Sequence, residues 1–198
     1  MNKILTLIGL IIVILAIYLY MGFYNISASK PHMKLIEETF EGIMENSIKH
    51  HTKDIIKPAI SEDEVLSEGF EHYNAMCVDC HGAPGNSEPE FREGLYPKPP
   101  LFAKGIDDEI GTEQIFWVTK NGIKMTGMPG FGKTHTDDEI WAIAGFVEKL
   151  PNMSEATYNE LKLKNKGHHH DEDMGEGNTS NTEVMKKADG MEGESGNM

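Results

Sequence analysis

The stretch Cys77-Val78-Asp79-Cys80-His81 decides the fold of this 198-residue chain. C-x-x-C-H is the attachment motif of a c-type haem, because two thiols at this spacing can add to the two vinyl groups of one porphyrin. The histidine that follows can then bind the iron through an imidazole nitrogen. The motif therefore predicts one covalent haem c, attached through Cys77 and Cys80, with His81 as an axial iron ligand.

Other uses of a C-x-x-C pair fit the sequence less well. A thioredoxin-like dithiol would open a helix within a βαβ pattern, which the sequence does not show. A structural zinc site of this type needs a second ligand pair. Cys77 and Cys80 are the only cysteines in the chain, so there is no second cysteine pair and no other cysteine for a disulfide.

A second iron ligand is predicted in the segment Lys124-Met125-Thr126-Gly127-Met128-Pro129-Gly130-Phe131-Gly132. Low-spin haem iron in cytochromes c often binds a methionine thioether as its sixth ligand. Pro129 restricts Met128 to an extended backbone, and the flanking glycines allow the chain to approach a flat macrocycle. Met125 lacks this setting, and many methionines only fill gaps in a core. Met128 is therefore the predicted sixth ligand.

Four blocks of sequence share their order and spacing with one family across residues 61–151: Gly69-x-x-x-Tyr73-x-x-x-Cys77-x-x-Cys80-His81-Gly82, Tyr96-Pro97-Lys98-Pro99-Pro100-Leu101, Gly127-Met128-Pro129-Gly130-Phe131-Gly132 and Trp141 through Pro151. In these blocks the chain resembles a small class I, mono-haem cytochrome c of the membrane-anchored bacterial type. The resemblance implies an all-α fold wrapped around one covalent haem, and an electron-transfer function.

The resemblance also implies roles for residues around the haem. Trp117 would hydrogen-bond a haem propionate, unless its ring simply packs in the domain. The carbonyl of Pro99 or Pro100 would accept a hydrogen bond from the second ring nitrogen of His81, which orients the ring and raises its basicity. The sequence does not distinguish between the two prolines.

Local signals place the helices of this domain. Ser61-Glu62-Asp63-Glu64 and Thr136-Asp137-Asp138-Glu139 are capping boxes, which mark helix N-termini. The first helix is predicted to run to about Met76, and a short helix covers 112–121. The last helix has apolar residues at helical spacing and stops at Pro151.

In the family, the first and last of these helices cross. Gly69 would allow their close approach, with Tyr73 and either Trp141 or Phe146 packed at the crossing.

The chain begins with a predicted membrane segment. Ile4 to Phe23 is twenty residues long without a formal charge, which is enough to cross a bilayer. Ser27-Ala28-Ser29 resembles a signal cleavage site, so removal of the segment is the alternative. Bacteria attach haem c outside the cytoplasmic membrane, so the resemblance implies a single-pass protein of that membrane with its haem domain in the periplasm or outside the cell.

The predicted organisation has four parts. Residues 1–24 are the anchor, 25–60 a helical connector, 61–152 the cytochrome domain, and 153–198 a short helix followed by a disordered acidic tail. In the connector, six apolar residues approach a helical stripe that packs on the domain or on lipid: Leu35, Ile36, Phe40, Ile43, Met44 and Ile48. His50 and His51 adjoin this stripe as candidate metal or haem-edge contacts, or as ordinary exposed histidines.

The tail carries a candidate second metal site. His168, His169 and His170 precede Asp171-Glu172-Asp173, a composition that can bind copper or another divalent metal. The competing interpretation is a solvated tail with no metal.

Charge excludes some partner classes. The formal net charge is −14, and residues 61–151 contain seventeen acidic and seven basic residues, a net of −10. This balance argues against nucleic acid. It favours brief encounters with redox proteins that present a basic or mixed-charge surface.

The sequence as a whole predicts a membrane-anchored electron carrier rather than an enzyme, alone or as a subunit of a larger oxidoreductase. Two alternatives stay open: a haem sensor or enzyme subunit with an open sixth site, and a copper-handling protein that uses the histidine-rich tail.

Overall fold

A computed structural model describes residues 2–86, 88–106 and 110–165 of this protein. The regular structure within these ranges is helical. No strand occurs in these ranges, and the predicted all-α fold is confirmed. The chain divides into two units, Met1–Leu163 and Lys164–Met198. The predicted tail with His168, His169 and His170 lies outside the described residues. The helices are α1 (Asn2–Tyr20), α2 (Lys34–Thr52), α3 (62–81), α4 (Glu90–Gly94), α5 (Thr112–Asn121), α6 (Asp137–Lys149) and α7 (Glu155–Lys164), with 3₁₀ turns at Phe102–Lys104 and Leu150–Asn152.

Helix α1 is apolar around its whole circumference. It has 19 residues and a mean hydropathy of 2.5, and none of its side chains is buried. Among the described helices, it is the one long and apolar enough to cross a bilayer. A signal sequence has the same properties, so length and composition alone do not separate a retained anchor from a cleaved one.

Helix α3 begins at the predicted capping box. The Glu64 amide donates to Ser61 Oγ at 3.1 Å, and the Glu64 carboxylate accepts from the Ser61 amide at 2.8 Å. The helix contains two π-helical turns, Val65–Gly69 and Tyr73–Cys77. It extends to His81, beyond the end predicted near Met76, because the C-x-x-C-H motif itself continues the helical backbone.

Helices α3 and α6 cross at Gly69, as predicted. A side chain there would meet the Ala142 carbonyl and would approach Phe146 Cβ to 3.0 Å. Tyr73 and Phe146 pack at this crossing, with their ring centroids 5.4 Å apart. The missing Cβ at Gly69 thus allows the two backbones to touch.

The Trp141 ring faces a different helix. It stacks on Phe116 of α5, with ring centroids 4.0 Å apart and an interplanar angle of 9°. Of the two aromatic residues considered for the crossing of α3 and α6, Phe146 therefore packs against Tyr73, whereas Trp141 joins α5 to α6.

Helix α7 adds a further aromatic residue to the core. Tyr158 is buried, and its ring lies 5.3 Å from Phe70 and 6.4 Å from Phe146. Its hydroxyl donates to Asn74 Oδ1 at 3.2 Å. The short helix predicted after residue 153 is thus present, and it covers one side of the α3–α6 pair.

The connector packs on the domain rather than standing free of it. Helix α2 lies against α5. After α2, Lys57 Nζ donates to Glu148 Oε2 at 2.7 Å and to Thr112 Oγ1 at 3.0 Å. The hydrogen bond from Lys57 is the main cause of a lowered pKa for Glu148. These contacts attach residues 53–60 to both α5 and α6.

The helix crossing leads to a first prediction. Gly69→Ala should lower the free energy of unfolding by about 1–3 kcal/mol, because the added methyl group meets the α6 backbone. Denaturant unfolding of the detergent-solubilised protein, followed by circular dichroism, measures the change.

Gly42→Ala in α2 is the matched control. A Cβ at Gly42 has no neighbour within 4 Å, and alanine favours a helix interior more than glycine does. This variant should be neutral or slightly stabilised. Equal stability of the two variants would contradict the close approach at Gly69.

Candidate haem site

An apolar cavity of about 550 Å³ opens between α2, α3, α5, α6 and the loops that follow α4 and α5. A volume of this size is typical of cofactor sites. The predicted site residues that share its lining are Cys77, Cys80, His81, Pro99, Pro100 and Met128. The structure thus brings together, in one space, residues that are up to 51 positions apart in the sequence.

The two cysteines are unpaired, and both line the cavity. Burial raises the pKa of the Cys77 thiol to about 12, and its neighbour Cys80 adds to the shift. Burial also raises the pKa of Cys80, with a further contribution from Asp79. Catalytic dithiols have lowered thiol pKa values. The direction of the shifts therefore disfavours a thioredoxin-like redox pair.

The orientation of His81 is fixed by a hydrogen bond. Its Nδ1 lies 2.9 Å from the Pro100 carbonyl oxygen, which can only accept, so Nδ1 carries the hydrogen. Burial is the main cause of a lowered pKa for His81, which favours the neutral ring. The lone pair is then on Nε2, as a metal ligand requires. The ring also stacks on Phe102 at a centroid distance of 4.5 Å.

The choice between the two prolines is settled by their carbonyl groups. The Pro100 oxygen faces His81, whereas the Pro99 oxygen accepts from Arg92 Nε at 2.9 Å. Pro100 is therefore the residue that orients His81, and Pro99 holds the Arg92 side chain.

Met128 lies in a loop that is pinned by hydrogen bonds. Its carbonyl accepts from the Ile123 amide at 3.1 Å, and its amide donates to Thr126 Oγ1 at 3.1 Å. The loop leaves α5 at Gly122, which has a φ of +68°. A side chain at Gly122 would come within 2.8 Å of the Met128 carbonyl, so only glycine fits there without displacing the loop.

Met125 has a different environment from Met128. It is 93% exposed and is not among the residues that line the cavity. Met128 thus lines the cavity and Met125 does not, which agrees with the preference for Met128 drawn from the sequence.

Trp117 lies apart from the other predicted site residues. It is not among the residues that line the cavity, and its ring stacks on His51 of α2, with centroids 5.4 Å apart and an interplanar angle of 3°. The sequence offers His51 as a candidate metal or haem-edge contact, and in the structure its ring lies on this tryptophan. A hydrogen bond from Trp117 to a haem propionate stays a prediction.

One wall of the cavity was missed by the sequence analysis. Helix α2 contributes five residues to the lining: Glu41, Met44, Glu45, Ile48 and Lys49. The sequence signal was the apolar stripe of the connector, which includes Met44 and Ile48. That stripe showed which face of the helix is apolar but not what the face covers.

The central part of the chain matches a known protein family. The family described as cytochrome c oxidase, cbb3-type, subunit III, matches residues 64–147. Residues 64–147 form a class I cytochrome c domain. The matched residues do not include α1, α2 or α7. No curated protein matches the chain.

One solved structure with some similarity belongs to the reducing HAO-like protein complex of Kuenenia stuttgartiensis. The identity is 24%, the TM-score is 0.42, and the alignment covers 48% of this chain. The chain spans about half, 47%, of the length of that structure.

A class I cytochrome c domain contains covalently bound haem c, and the cavity fits that group. Two unpaired thiols, a neutral buried histidine and a thioether line a largely apolar space. The haem attachment predicted from C-x-x-C-H and the family of the domain thus agree on the cofactor.

Tyr73 leads to a second prediction. Its fully buried hydroxyl donates to the Gly82 carbonyl at 2.7 Å, next to His81. Tyr73→Phe should cost about 1–3 kcal/mol at pH 7, because the buried carbonyl loses its partner. Denaturant unfolding of the haem-loaded protein measures this loss.

The same variant should change the stability at high pH. Burial strongly raises the pKa of Tyr73 in the folded state. Its contribution to stability is complete below the unfolded tyrosine pKa of about 10 and is lost as the pH rises above it. Tyr73→Phe should therefore lose less stability than wild type between pH 7 and pH 11. Parallel losses of stability in the wild type and in Tyr73→Phe would contradict the prediction.

Proposed function

We propose that this protein is a membrane-anchored cytochrome c that carries single electrons, with Cys77 and Cys80 attaching the haem and His81 and Met128 binding the iron. The convergence of these four side chains on one cavity carries the proposal. The haem supplies the one-electron chemistry, in which the iron alternates between two oxidation states.

The protein residues would hold the cofactor and its surroundings constant between the two oxidation states. Pro100 keeps the His81 ring in one orientation and one tautomer. The apolar walls exclude water, and a buried thioether ligand favours the reduced iron. The chain therefore needs no residue that transfers protons or bonds to a substrate.

The alternative with an open sixth site has weaker support. It requires Met128 to lie away from the iron, yet Met128 lines the cavity and its loop is held at both its amide and its carbonyl. The pinned loop favours an electron carrier over a haem sensor or an enzyme subunit that binds small ligands.

The iron ligation leads to a third prediction. The oxidised haem protein should show the weak far-red charge-transfer band of a sulfur-ligated iron. Met128→Ala should abolish the band and lower the reduction potential, because the thioether is lost. Met125→Ala is the control and should keep both, since Met125 is 93% exposed.

Absorption spectroscopy and a redox titration of the three proteins decide between the two functions. A high-spin wild-type spectrum without the band would refute ligation by Met128 and support the open sixth site.

The proposed organisation retains α1 as a single-pass anchor. Residues 1–24 would form the anchor, 25–60 the connector, 61–152 the cytochrome domain and 153–198 the C-terminal part. The haem domain would face the periplasm or the cell exterior. The hydropathy of α1 supports the anchor, and cleavage near Ser27-Ala28-Ser29 is the alternative that N-terminal sequencing of the mature protein would reveal.

The acidity of the domain suggests the charge of its redox partners. With a net of −10 over residues 61–151, the cytochrome should attract basic or mixed-charge surfaces, either on separate proteins or on other subunits of an oxidoreductase.

Salt dependence provides a fourth prediction. Electron transfer to a cationic cobalt complex should slow several-fold when the ionic strength rises from about 0.01 M to about 0.5 M, because salt screens the attraction. Stopped-flow absorbance measures the rates. An anionic iron complex should show the opposite trend. Rates that do not depend on salt for either reagent would contradict an electrostatic contribution to docking.

A further inference from the structure

Helix α2 lies outside residues 64–147, which match the cytochrome family, yet it forms one wall of the haem cavity. Met44 and Ile48 are half-buried and line this cavity. They are four residues apart, so they lie one above the other on the same face of α2. The other side of the helix contains exposed apolar residues, with Leu35 73% exposed and Ile43 58% exposed.

The N-terminal end of α2 is attached to a loop of the haem cavity. The His32 amide donates to the Tyr96 hydroxyl at 3.2 Å, and the two rings meet edge to face at 5.3 Å. Tyr96 precedes Pro97, which lines the cavity. The chain is therefore fixed to the cytochrome domain just before α2 begins.

The C-terminal end of α2 is attached to α5. His51 stacks on Trp117 of α5, and Thr52 is buried. Lys57 then bonds to Glu148 and Thr112. With both of its ends attached, α2 has little freedom to swing away from the cavity.

We propose that α2 is a haem-binding element of this cytochrome, in which Met44 and Ile48 pack against the macrocycle and close the cavity on that side. The proposal rests on the haem occupying this cavity. It does not depend on Met128 being the sixth ligand. The far-red band tests ligation by Met128, whereas the experiment below tests the contact with α2, so each proposal can fail without the other.

The proposed contact has two physical consequences. Met44 and Ile48 are the apolar part of the α2 lining. Apolar side chains disfavour the more positively charged ferric state, so these two residues should raise the reduction potential. The same wall should restrict the entry of small external ligands to the iron. Neither effect requires α2 to bind iron.

The test uses haem-loaded, full-length protein in detergent. The double variant Met44→Ala/Ile48→Ala shortens the two lining side chains and keeps a helix-favouring residue at both positions. Leu35→Ala/Ile43→Ala is the matched control, because it removes comparable apolar groups from the exposed side of the same helix.

Two measurements report on the wall: the reduction potential and the rate of imidazole binding to the ferric haem. The double variant should have a lower potential and bind imidazole several-fold faster, whereas the control should match wild type. Equal potentials and equal binding rates in the two double variants would overturn the proposal.

A second variant tests the position of α2 without changing the cavity lining. His51→Ala removes the stacking on Trp117, and Leu35→Ala, at a 73% exposed position of the same helix, is its control. His51→Ala should bind imidazole faster than wild type, by a smaller factor than the double variant. If the double variant does not accumulate with haem, this pair decides the question, and an unchanged rate in His51→Ala overturns the proposal.

Discussion

The hydrogen bond from His81 Nδ1 to the Pro100 carbonyl is the contact on which the site depends most. It joins the end of α3 to the loop that follows α4, and it selects the tautomer that leaves Nε2 available for iron. The nearby Tyr73 hydroxyl holds the Gly82 carbonyl, so the backbone on the far side of His81 is also fixed. The orientation of one imidazole ring is thereby determined by α3 and by the loop that follows α4.

Around this centre, two helices outside the matched cytochrome region, α2 and α7, pack on the domain. Helix α7 inserts Tyr158 against Phe70 and Phe146, on the side of the α3–α6 pair. Helix α2 covers part of the haem cavity instead. The two additions thus have separate effects, because one extends the protein core and the other alters the surroundings of the cofactor.

The sequence predicted the features that depend on neighbouring residues. The capping boxes at Ser61 and Thr136 need only residues three apart, and the C-x-x-C-H motif needs only five consecutive residues. Contacts between segments that are far apart in the sequence were not predictable from one sequence. The choice of Pro100 over Pro99 and the stacking of Trp117 on His51 are set by how separate segments meet. The apolar stripe of α2 was visible, but its partner surface was not.

If α1 is retained as the proposed membrane anchor, the hydrogen bond between His32 and Tyr96 limits how far the haem can move from the bilayer. With α1 inserted, only residues 21–31 lie between the end of α1 and this attachment point. A fully extended segment of that length reaches roughly 40 Å, and any bend shortens it. The haem is then confined to a thin layer above the membrane surface. Such confinement raises its effective concentration toward redox proteins in the same membrane and lowers it toward those in bulk solution.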